Sequence, residues 1–153
     1  MHVVYERCAG LDVHKRTVVA CANTPDVHGQ LHKERRTFNT MTADGLTLRD
    51  WLKGLGVTHI AMESTGVFWK PIYNLLEGHF ELLVVNAQHI KAVAGRKTDL
   101  KDAEWIADLL QHGLLRPSFV PSAQLRELRE LTRHRTRLSE ERSRIINRLR
   151  DAC

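Results

Sequence analysis

Two short apolar runs in this chain each finish on an acid: CAGLD at 8–12 and HIAME at 59–63. Runs of that length, rich in small and β-favouring residues, read as buried strands. A carboxylate at the end of a buried strand costs free energy unless a cation or a set of donors compensates it. A second pair of acids, Asp99 and Asp102, opens a helix-patterned segment at i and i+3, which puts their β-carbons on one face roughly 5 to 6 Å apart. Together Asp12, Glu63, Asp99 and Asp102 have the chemistry of a divalent-metal site. Magnesium, or manganese in its place, takes carboxylate oxygens. Two such ions about 3.5 to 4 Å apart can activate an attacking oxygen and stabilise the leaving one of a phosphodiester. Taken singly, each acid also has an ordinary structural role: a turn edge for Asp12, a helix cap for Glu63, a complement to the helix dipole for Asp99 and Asp102. The conjunction argues for a metal, and acids embedded in apolar strand sequence are harder to explain locally than acids at a helix start.

The order of elements places those acids. CAGLDVH (8–14) and TVVACAN (17–23), separated by Lys15-Arg16, read as a tight hairpin, and HKERRTF (32–38) reads as a third strand with one face in water. Thr42-Ala43-Asp44 opens a helix carrying Leu48, Trp51, Leu52 and Leu55 at i, i+3, i+4 and i+7, closed by Gly54 and Gly56. VTHIAMES (57–64) is a strand. Phe68, Ile72, Leu75 and Leu76 mark a helix whose start is limited by Pro71. FELLVVNA (80–87) is nearly continuous in apolar residues and reads as a strand in the middle of a sheet. After a polar, basic stretch at 88–98, Thr98 is a candidate cap for a helix from Asp99 to about His112, stopped by Gly113. The pattern of a hairpin-rich start followed by strand-helix-strand units predicts an α/β fold with a mixed five-stranded sheet and flanking helices. If the first strand neighbours the fourth, Asp12 and Glu63 lie side by side.

The 153 residues suit one domain over 1–121 with an appendage over 122–153. Pro117 and Pro121 bracket the linker, and Ser122 is placed to cap a long terminal helix. Leu128, Leu131, Leu138, Ile145 and Leu149 form its sparse seam, interrupted by His134, Glu141 and Arg148. Such a seam is not a self-sufficient coiled coil and calls for a partner; a homo-oligomer through this helix is expected of the full-length protein. The net charge of +5 is concentrated here, because 122–153 holds 9 arginines against 5 acids. Arginine suits bidentate phosphate contacts, so Arg133, Arg135, Arg137, Arg142 and Arg144 are candidate contacts to a nucleic-acid backbone, with a solvated helix face as the plainer alternative. Lys15, Arg96 and Lys97 lie near the acids in sequence and are further candidates for steering phosphates.

Other chemistries have weaker support. His28 and His32 have a zinc-like spacing but no partner motif, and Ser64 follows Glu63 without a nucleophile elbow. No glycine-rich phosphate loop occurs, and Val13-His14-Lys15 offers no glycine turn of the kind an actin-like ATPase needs. Cys8, Cys21 and Cys153 are odd in number and far apart, so no disulfide framework is expected. No apolar run approaches the roughly 20 residues of a membrane span, and a cytoplasmic protein without a membrane partner is expected.

The strings GLDVHK (10–15), MESTGVFW (62–69) and VVNAQHIKAVAGRKTDLKDAEWIADLLQHGLLRPSFVP (84–121) resemble the amino-terminal domain of DEDD transposases of the insertion-sequence-110 family, relatives of the Piv-type DNA invertases. The tail RELRELTRHRTRLSEERSRIINRL is similar to that family's linking helix. The resemblance implies an RNase-H-like, RuvC-like fold, with the four family acids on Asp12, Glu63, Asp99 and Asp102. It also implies DNA as substrate, a guide RNA as partner, and a carboxy-terminal domain whose serine attacks DNA. That second domain is not in the 153 residues, so the chain is expected to be the front part of a recombinase. The alternative is a truncated, non-catalytic nucleic-acid-binding or assembly module.

Overall fold

In the computed structural model, which describes residues 2–63, 66–92 and 102–152, five strands form one sheet. They are Cys8–Val13 (β1), Thr17–Pro25 (β2), Leu31–Asn39 (β3), His59–Glu63 (β4) and Glu81–Val85 (β5), in the order β3-β2-β1-β4-β5. β1, β2 and β3 are antiparallel neighbours, whereas β1 pairs parallel with β4 and β4 with β5. The turn between β1 and β2 is closed by His14 N donating to Thr17 O at 2.8 Å. The first strand does neighbour the fourth.

Side chains alternate between the two faces of a strand, and the register sorts them. Ala9, Leu11 and Val13 share a face with Val18, Ala20 and Phe38, and the Phe38 ring meets Trp51 of the helix Thr42–Gly54 (α1) at 5.6 Å. That helix buries Leu48 and Leu52, and Trp69–Leu76 (α2) buries Ile72 and Leu76. Pro71 falls in the first turn of α2, where the missing N–H costs nothing.

The opposite face carries Cys8, Gly10 and Asp12 in register with Asn23, Cys21 and Val19. Here packs Asp102–Gln111 (α4), whose Ala103, Ile106, Ala107 and Leu110 are buried. The helix ends at Gly113, φ +67°, where Gly113 N donates to Leu110 O and Leu114 N to Leu109 O at 2.9 Å. That reversal needs a left-handed residue, which glycine supplies without strain.

Two expectations are corrected. β5 lies at the margin of the sheet, not in its middle, and among the described residues it pairs with β4 alone. Its apolar character comes from coverage of its faces and end: Val85 packs with Ile90, Ile106, Leu109, Leu110 and Leu115. Its far edge is met by the chain after α4, where Ser118 N donates to Val84 O at 2.7 Å. The basic stretch after β5 also begins with a short helix, Ala87–Ala92 (α3), at whose start Asn86 Oδ1 accepts from Gln88 N at 2.8 Å. The expected start of the next helix, Thr98 and Asp99, lies outside the described residues.

The chain divides into two compact units, 1–119 and 120–153. The second is built on one helix, Ala123–Asp151 (α5), capped as expected by Ser122, whose Oγ accepts from Leu125 N at 3.4 Å. None of its residues is buried.

Candidate metal and nucleic-acid site

Gly10 determines how closely α4 can approach the sheet. A Cβ at this position would come within 2.5 Å of Ala107 N and 3.0 Å of Ile106 Cβ, and would collide with the Ala103 carbonyl. The helix backbone therefore lies directly on β1. Its direction follows from two contacts: Ala103 is over Gly10, while the Ala107 carbonyl accepts from Cys8 Sγ at 3.7 Å. α4 runs opposite to β1, so its first residue, Asp102, is directed toward the end of the sheet where β1 and β4 finish.

At that end, Leu11 and Met62 are partners in register, and the next residue on each strand is an acid, Asp12 and Glu63. Both fall on the face that carries Gly10, the face covered by α4. Asp12 is only 16% exposed, and its Oδ2 lies 3.0 Å from His14 Nε2. Glu63 and Asp102 are half-buried. The donor set is all carboxylate oxygen, which fits magnesium or manganese and not a soft metal. Among the described residues, no three His, Cys, Asp or Glu side chains are grouped closely enough to hold an ion. Asp99 lies outside the described residues, as do Arg96 and Lys97.

Lys15 is exposed in the turn between β1 and β2, whose backbone is fixed by Thr40 Oγ1 donating to the Lys15 carbonyl at 3.0 Å. Arg133, Arg135, Arg137, Arg142 and Arg144 are exposed on α5, where Arg144 pairs with Glu140 at 3.9 Å. The two thiols behind α4 are unsuited to metal or redox chemistry. Burial pushes Cys8 up to about 12, with a smaller contribution from the Asp108 charge, and pushes Cys21 up to about 11, with Glu104 adding to it.

One arrangement on this face was not anticipated from the residues. Lys33 Nζ donates to both carboxylate oxygens of Asp108 at 2.7 and 2.8 Å, and Arg35 donates to Glu104 Oε1 at 3.2 Å. Asn23, fully buried, donates to Asp108 Oδ1 at 2.9 Å and to Gln111 Oε1 at 3.3 Å. The available signal was a pair of acids at i and i+4 on a helix, a pair of cations at i and i+2 on a strand, and an asparagine inside an apolar run.

Among the described residues, no helix is long and apolar enough to cross a membrane. No curated protein matches the chain. The chain is similar in structure to RuvC of Thermus thermophilus, at 12% identity and a TM-score of 0.50, over 73% of this chain and 99% of that one. T. thermophilus RuvC in complex with a Holliday junction substrate gives 10% identity and a TM-score of 0.48 over the same shares. The first likeness agrees with the sheet order and flanking helices described above: the fold is RuvC-like. The model of the DEDD transposases of insertion-sequence-110 elements, described as "Transposase", matches residues 9–152, nearly the entire chain. The chain belongs to that transposase family.

Proposed function

We propose that this chain is the metal-holding, catalytic domain of a DNA transposase or recombinase. In this reading Asp12, Glu63, Asp99 and Asp102 hold Mg2+ or Mn2+ for cleavage and exchange of DNA strands. The observation that carries the reading is the direction of α4 over Gly10, which turns Asp102 toward the end of the sheet where β1 and β4 finish on Asp12 and Glu63. Three carboxylates from three elements directed to one end of a fold offer the oxygen donors that a hard divalent ion takes. A bound divalent ion would supply polarisation of the scissile phosphate. The residues themselves supply the hard oxygen donors, a partly desolvated carboxylate at Asp12, and cationic steering of the phosphate backbone from Lys15, Arg96 and Lys97. The attacking serine belongs to the family's second domain, and a guide RNA to its choice of target.

Asp102→Asn tests the assignment. With the serine-bearing domain supplied, it is expected to abolish magnesium-dependent cleavage or recombination; unchanged activity refutes the role. A second reading, a nucleic-acid-binding or assembly module, is favoured by α5, which buries none of its residues and displays its arginines along its length. On that reading, DNA binding persists without magnesium and weakens steeply with salt. The two readings separate on whether Mn2+ binds the chain and is lost with Asp12→Asn.

A further inference from the structure

The candidate acids stand on different elements, so the position of Asp102 relative to Asp12 and Glu63 depends on where α4 sits along the sheet. The surface beneath the helix is made of small side chains: Cys8, Gly10, Cys21 and Ala61. Such a surface sets the depth of the helix, while Ile106, Leu109 and Leu110 pack with Val85, Ile90 and Leu115 on the β5 side; each residue of slip would move the helix by about 1.5 Å.

A polar determinant of axial position lies at the β3 side of the sheet. Glu104 and Asp108 are about 6 Å apart along the axis of α4, and Lys33 and Arg35 about 6.6 to 6.8 Å apart along β3. The spacings match, and the directions do too: β3 runs with β1, and α4 runs against both. Two rungs therefore close together, Lys33 on Asp108 and Arg35 on Glu104. Asn23 reinforces the first rung from inside the core, since its amide donates to both Asp108 and Gln111 of α4.

We propose that Lys33 and Arg35 are positioning residues for the metal site: through Asp108 and Glu104 they fix the register of α4, and so the place of Asp102. The inference rests on the reading of the acids given above. It assigns a function to cations whose described ion pairs are with Asp108 and Glu104.

The test uses Mn2+ binding to the full chain, measured by titration calorimetry, beside urea unfolding of the same samples. The variants are Arg35→Glu, Glu104→Arg and the two combined. By field alone, Arg35→Glu adds a negative charge and tightens Mn2+, whereas Glu104→Arg weakens it. By register, both weaken Mn2+ about tenfold, the scale of a lost supporting contact, and the combined swap restores it. If either reversal prevents folding, Arg35→Met replaces it, and weaker Mn2+ binding at an unchanged urea midpoint is expected. Wild-type affinity in Arg35→Glu or Arg35→Met, or a swap that does not recover, overturns the proposal. A wild-type chain that takes up no Mn2+ refutes instead the reading of the acids, and the proposal with it.

Discussion

Residues 1–119 and 120–153 treat apolar surface in opposite ways. The sheet unit buries Leu11, Leu48, Leu52, Ile60, Ile72, Leu76 and Ile106 almost completely, whereas α5 leaves Leu131 66% and Leu149 64% exposed. The difference shows where intrinsic stability resides. A sheet covered by helices on both faces carries its own core. A helix about 44 Å long with no buried residue depends on its cap and on i,i+4 pairs such as Arg144 with Glu140. The division also separates charges: the candidate carboxylates belong to the sheet unit, and the arginines Arg133, Arg135, Arg137, Arg142 and Arg144 to the other. The largest test of this contrast is Gly10→Val. The added methyls meet the backbone of α4, and overpacking there is expected to cost the sheet unit about 3 kcal/mol or more, measured by urea unfolding. Leu138→Ala in α5 is expected to stay within about 0.5 kcal/mol in the same measurement. Comparable costs would remove the distinction.

A smaller effect sharpens it within the sheet unit. Asp108→Ala leaves the amide nitrogen of the fully buried Asn23 with Gln111 as its remaining described acceptor and removes the acceptor of Lys33. Stranding a buried amide costs about 1 to 3 kcal/mol. Replacing Asn23 and Asp108 together by apolar residues of similar shape should recover much of that loss, since the penalty belongs to the unpaired group.

The thiols give a pH test of the same packing. Cys8 rises from 9.0 to about 12 and Cys21 from 9.0 to about 11, each chiefly through burial. The unfolded thiol loses its proton first, so the stabilisation is complete below pH 9 and declines as pH rises, up to about 11 for Cys21 and about 12 for Cys8. At pH 10 the Cys8 contribution should be diminished by about 1.4 kcal/mol relative to pH 7. Cys8→Ala should flatten the alkaline limb of the unfolding free energy, measured in urea, by that amount; an unaltered limb would mean that the thiol is not held in a dry site.

Much of the sheet unit was legible because its signals are local. Strand runs, the helical stripe of 103–110, the Ser122 cap and the Gly113 stop each depend on residues within one turn or one strand, whereas the pairing of β1 with β4 entered only as a condition, since it joins strands separated by two others and a helix. The margin position of β5 was not legible, because apolarity reports how a strand's faces are covered and says nothing about its lateral neighbours. α3 was hidden because its six residues are too few to show a helical stripe; Ile90 joins the core cluster. The charge ladder joins residues 75 and 69 positions apart, and such pairs leave only a spacing coincidence in the sequence. Asp12 and Glu63 were identifiable as candidates for the opposite reason: a carboxylate that ends an apolar run is visible in the run itself.

The smallest expected effect on stability belongs to α5, and there the informative readout is salt. Arg135 is exposed and lies in a unit with no buried residue, so Arg135→Gln should change unfolding by less than about 0.5 kcal/mol. If its guanidinium meets a phosphate, the slope of log affinity for duplex DNA against log salt should fall by about 0.9, with similar losses for Arg133, Arg137, Arg142 and Arg144. The same measurements on Arg35→Gln should leave that slope unchanged, because its guanidinium is directed to Glu104. A slope that responds to Arg35 and not to the α5 arginines would move nucleic-acid contact from the appended helix to the face of the sheet.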